Sequence, residues 1–143
     1  MEQDARRRLE DVLDREIAVA RALAATLAAE RTALTGDSPQ AVEQQAAQKI
    51  EILGTIEKLE AERRGLCASP NAPGLGATVA ERWRALMELM AGCRTANDVN
   101  GHIIHVRQHQ IRQLIDIVRG GPAITYGPQG KTLANALRAL ARA

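Results

Sequence analysis

From Val79 to Val118 the positions Val79, Trp83, Leu86, Met90, Cys93, Asn97, Asn100, Ile104, Arg107, Ile111, Leu114 and Val118 follow one another in alternating steps of four and three residues. Nine of these twelve residues are apolar. A strand repeats every second residue, whereas a seam that repeats every three and a half belongs to a helix lying along another helix. The pattern predicts a single helix over 77–119, roughly 60 Å long at 1.5 Å per residue. Asn100-Gly101 is a turn signal inside it, and a turn would reset the phase. The phase runs through unchanged, so the expectation is a continuous helix weakened there by about 1 kcal/mol for the glycine.

A seam needs partners, and two more segments supply them. Leu9, Leu13, Ala20, Leu23, Leu27 and Leu34 keep the same alternation, with Glu16 and Glu30 as the polar exceptions, which predicts a helix over 2–34. Gly36-Asp37-Ser38-Pro39 then stops and restarts the chain: Ser38 can cap the next helix and Pro39 suits its first position. In the second helix, 39–67, Val42, Ala46, Ile50, Leu53, Ile56, Leu59 and Leu66 are expected along one broad face. The proline- and glycine-rich stretch SPNAPGLG, residues 69–76, ends it. The connections are short, so neighbours should run antiparallel.

The expected fold is therefore all-α: an elongated antiparallel bundle of three long helices with coiled-coil-like packing over 1–120. Residues 121–143 are expected to form a flexible C-terminal segment with a short amphipathic helix over 131–142. There Leu133, Leu137 and Leu140 stand at i, i+4 and i+7, opposite Lys131, Asn135, Arg138 and Arg142. Such a helix is too short to be stable alone in water, so it must dock on its own bundle, on a second copy or on a partner. Composition agrees with close helix packing: 45% of the 143 residues are apolar, with no Phe, one Trp and one Tyr.

Several function classes find no support. The formal charge is only +2, the basic residues after Asp116 are spread thinly, and no set of aromatics offers a stacking platform for nucleic acid. The charged N-terminus lacks a signal-peptide core, and the most apolar run, 17–29, falls short of the ~20 residues needed to span a bilayer. The expected location is the cytoplasm, without membrane insertion. Two cysteines make no disulfide framework: in a hairpin turning near residue 72, Cys67 and Cys93 would differ in height by about 20 Å.

The candidate site motifs fall short on their chemistry. TYGPQGKT, residues 125–132, ends like a phosphate-binding loop, but Thr125 stands where that loop needs glycine and no strand precedes it. His102, His105 and His109 share a helix face, yet that face lies about 160° from the seam and carries no acidic or thiol partner, so a wet surface is expected rather than a metal site. Cys93 reads as a small core residue and Trp83 as a core anchor. Asn97 and Asn100 occupy seam positions, either as a hydrogen-bonding junction, as a register pin, or at an end of the bundle where the seam becomes wet. No arrangement for catalysis emerges, so no enzyme and no cofactor are expected.

The run from Trp83 through Leu86, Cys93, Asn97, Asn100-Gly101, Ile104, Arg107, Leu114 and Gly120 to Tyr126-Gly127 and Gly130 resembles the FlgN family of flagellar export chaperones. Asn-x-x-Asn-Gly and Tyr-Gly-x-x-Gly stand in the family's order and distance. In the N-terminal half only Lys49, Leu53, Leu59 and Arg63 fall where a looser family pattern has basic and apolar residues. The resemblance implies a cytosolic chaperone of hook-associated proteins, which join hook and filament. It would bind an aggregation-prone terminal helix of an unassembled client, prevent premature polymerisation and deliver the client to the export gate and its ATPase.

The resemblance also places client binding in the C-terminal part, where Ile124, Leu133, Leu137 and Leu140 are the candidates. It associates a tyrosine with gate docking, which here can only be Tyr126, with Gly127 and Gly130 beside it. Trp83, Asn97, Asn100 and Gly101 would be structural seam residues. The rival reading is a coiled-coil adaptor or homodimer whose leucine tail completes a fourth helix.

Overall fold

A computed structural model of the chain describes residues 1–70, 72, 74 and 76–120. Three helices follow in order, α1 (Glu2–Leu34), α2 (Pro39–Ala68) and α3 (Ala77–Val118), and the described residues contain no strand. All three lie within one residue of the ranges expected from sequence. By internal contacts the chain divides into two units, Met1–Asp98 and Val99–Ala143, with α3 contributing to both.

The helix boundaries follow from local chemistry. The Ser38 hydroxyl accepts the Ala41 N–H at 3.3 Å, satisfying a backbone donor that the first turn leaves open, and Pro39 follows in the first turn. Gly120 adopts φ +78, the left-handed conformation that ends a helix, and its N–H bonds to the Ile117 carbonyl at 3.2 Å. At Gly101 α3 continues unbroken, as the uninterrupted phase predicts, and a Cβ there would meet nothing within 4 Å.

Within Met1–Asp98 the seam of α1 is buried at every expected position. Glu16 and Glu30 are exceptions of chemistry only: both keep the phase and both are buried among the leucines. Leu9, Leu13, Ile17 and Ala20 of α1 form a core with Val79 and Leu86 of α3. Leu23 and Leu27 form a second core with Cys93, flanked by Ile52 and Ile56 of α2.

The inward face of α2 matches the expected one only in part. Ile56, Leu59 and Leu66 turn inward as expected, but Ile50 and Leu53 are exposed and Lys49, Ile52 and Arg63 complete the inward stripe. The six inward positions keep the four-three alternation, but two of them are basic, so a search for apolar residues alone settles partly on a neighbouring stripe. The reason the charged stripe wins is that two buried carboxylates of α1 need it.

In Val99–Ala143, described as far as Gly120, Asn100 and Ile117 are buried, whereas Ile111 and Val118 of the expected seam are exposed. The buried side of this part of α3 thus includes Ile117, one position before the expected Val118. Asn100, with none of its surface exposed, is a buried polar residue and not a wet end of the seam.

Candidate functional site

Two polar clusters cross the hydrophobic core of Met1–Asp98, and each takes one residue from every helix. In the first, Arg63 Nε donates to both carboxylate oxygens of Glu16, at 3.0 and 3.2 Å, while its guanidinium lies 4.6 Å from the centroid of the Trp83 ring. In the second, Lys49 Nζ donates to both oxygens of Glu30 at 3.2 and 3.3 Å and to Asn97 Oδ1 at 2.8 Å. An ammonium has three hydrogens, and these three acceptors match them. An unpaired carboxylate at either seam position would carry a desolvation penalty of several kcal/mol.

The clusters repeat with the same interval on every helix. Glu16 and Glu30, Lys49 and Arg63, and Trp83 and Asn97 are each fourteen residues apart, which is two heptads or about 21 Å of helix. Further pairs tie the helices at their edges: Arg15 to Glu62 at 2.8 Å and Arg82 to Asp14 at 2.7 Å. Hydrogen bonding to Glu62 and to Asp14 raises the pKa of Arg15 and Arg82 respectively.

Between α2 and α3 runs an apolar groove floored by α1. One end is a hollow of about 230 Å³ among Leu9, Leu13, Arg63, Cys67, Val79 and Trp83. Its middle lies among Ile56, Glu60, Leu86, Met87 and Met90. It opens into a recess of about 550 Å³ lined by Leu23, Leu27 and Leu53, with Met87, Met90 and Cys93 along α3 and Lys49, Arg94 and Asn97 at its polar edge. The lining is aliphatic and thioether, suited to apolar side chains of variable shape. Cys93 is buried at 4% exposure, its Sγ–H donates to the Ala20 carbonyl at 3.5 Å, and burial pushes its thiol pKa up.

The expected site residues separate into two groups. Of the seam residues, Asn97 joins the Glu30–Lys49 cluster, Asn100 is buried, and Gly101 lies inside α3. Trp83 departs from the core-anchor expectation: 40% of its surface is exposed, and it caps one end of the groove under Arg63. Ile124, Tyr126, Gly127, Gly130, Leu133, Leu137 and Leu140 lie outside the described residues. Lys49 and Arg63 stand in phase with the buried apolar residues of α2, but their pairing with Glu30 and Glu16 follows only from the packing of the helices. His102, His105 and His109 are exposed, and among the described residues no three His, Cys, Asp or Glu side chains cluster as metal ligands.

The model of the family described as FlgN protein matches residues 1–134. The chain belongs to the FlgN family of flagellar export chaperones. The match includes the N-terminal half, so the polar clusters and the groove lie within the region shared with the family, as do the Tyr126 segment and the first tail leucine, Leu133. No curated protein and no solved structure matches the chain. Among the described residues no helix of this FlgN-family chain is long and apolar enough to cross a membrane.

Proposed function

We propose that this FlgN-family chain is a cytoplasmic chaperone that binds unassembled hook-associated proteins, prevents their premature polymerisation and delivers them to the export gate and its ATPase. The observation that carries this reading is the family match over residues 1–134. Its scaffold is an antiparallel three-helix bundle with coiled-coil-like packing. The paired residues support that arrangement: Glu16 meets Arg63 and Glu30 meets Lys49, so numbering falls along α2 as it rises along α1. The chain acts by binding and not by catalysis, and the buried charges serve helix-to-helix contacts.

Client capture rests on the tail residues Ile124, Leu133, Leu137 and Leu140, which offer an apolar stripe to an amphipathic client helix. A segment that orders on binding loses part of its contact energy to entropy, which suits a client that must later be released. Tyr126, with Gly127 and Gly130 beside it, serves the gate: its ring combines an apolar body with a polar tip, and the glycines allow close approach. Deleting residues 131–143 is expected to abolish binding of hook-associated proteins in calorimetry while leaving helical circular dichroism and the melting transition in place. Undiminished binding by that truncated chain would overturn the assignment of the client site.

A further inference from the structure

Near the C-terminal end of α3, Ile111, Ile115 and Val118 are 51%, 41% and 78% exposed. Spaced i, i+4 and i+7, they form a stripe about 60° wide at 100° per residue. We propose that this stripe is the docking surface for the chain's own C-terminal segment, with Leu133, Leu137 and Leu140 packed against it in the client-free protein. Two observations favour that occupant over any other.

The spacings are the same. Leu133, Leu137 and Leu140 are also i, i+4 and i+7, so as an antiparallel helix they present one apolar residue to each of Val118, Ile115 and Ile111. Lys131, Arg138 and Arg142 then fall about 130–180° from the leucine stripe, on the solvent side.

Connectivity also allows it. Gly120, at φ +78, ends α3 two residues after the stripe, and ten residues, 121–130, separate it from the leucine segment. Ten residues can span up to about 33 Å, while packed helix axes are only about 8–10 Å apart.

The consequence is regulatory. A client helix would compete with Ile111, Ile115 and Val118 for the three leucines, so the apolar stripe is covered until a client displaces it. The docking itself concerns the chain without client and does not depend on the leucines being the client site.

Maleimide labelling of an introduced thiol tests the idea on the full chain carrying Cys67→Ser, since Cys93 is buried. With Ile115→Cys, and separately with Ile111→Cys, labelling should be at least tenfold slower than in the same protein carrying Leu137→Glu, and independent of protein concentration. With Val99→Cys, on the opposite side of α3, Leu137→Glu should change nothing. Equal rates with and without Leu137→Glu at both stripe positions would overturn the proposal. Protection that deepens with protein concentration would overturn it too, by assigning the stripe to a second copy.

Discussion

Glu16 and Arg63, 47 residues apart in sequence, meet at 3.0 Å with only 5% and 16% of their side chains exposed. Removing one partner strands a charge in the core. Glu16→Ala is expected to lower the unfolding free energy by about 3 kcal/mol. Replacing both residues by leucine should restore most of that loss, because the pair's attraction largely offsets its own desolvation. Urea unfolding of the two single variants and the double variant measures both effects.

The second cluster should behave independently. Glu16 and Glu30 are two heptads apart, about 21 Å along α1, and their partners do not overlap. Glu16→Ala and Lys49→Ala are therefore expected to add within about 0.5 kcal/mol. Asn97→Ala, which removes one acceptor from Lys49, should cost about 1 kcal/mol.

Trp83 is the chain's one tryptophan, so its fluorescence reports on the end of the groove under Arg63. Arg63→Ala is expected to expose the ring further and shift its emission to longer wavelength. Trp83→Ala should cost about 1–2 kcal/mol, less than Leu13→Ala at about 3 kcal/mol, because Leu13 is fully buried and Trp83 is not. Emission spectra and denaturation midpoints check the two statements separately.

The two thiols should separate cleanly. Cys67 is exposed and is expected to react with a thiol reagent at once, whereas Cys93 should react only on unfolding. Burial raises the Cys93 pKa, so in alkali the unfolded chain gives up this proton before the folded one does. The unfolded state then binds fewer protons, and stability falls as pH rises past the ordinary thiol value. Urea midpoints at neutral and alkaline pH should show wild type losing more stability than Cys93→Ala.

Gly101→Ala should stabilise the protein by about 1 kcal/mol. The residue is inside α3, its φ is not positive, and an added Cβ meets nothing within 4 Å. A thermal melt of the variant tests this, and a loss of stability would point to a need for glycine in a state other than the one described.

Much of this protein was determined by the sequence alone, because helical periodicity is a local property. The three helix ranges, the cap at Ser38, the continuous α3 and the buried seam of α1 all follow from spacing within single segments. So did the family, whose motif residues in α3 are read without reference to packing. The tertiary structure decided which stripe of α2 faces inward, because only the carboxylates of Glu16 and Glu30 make Lys49 and Arg63 better inward residues than Ile50 and Leu53. It likewise decided that Trp83 caps a groove, that Asn97 closes a three-helix cluster, and that Ile117 is buried while Val118 stands in solvent. Each of these depends on what stands opposite a side chain, and that is a relation between segments that no single segment encodes.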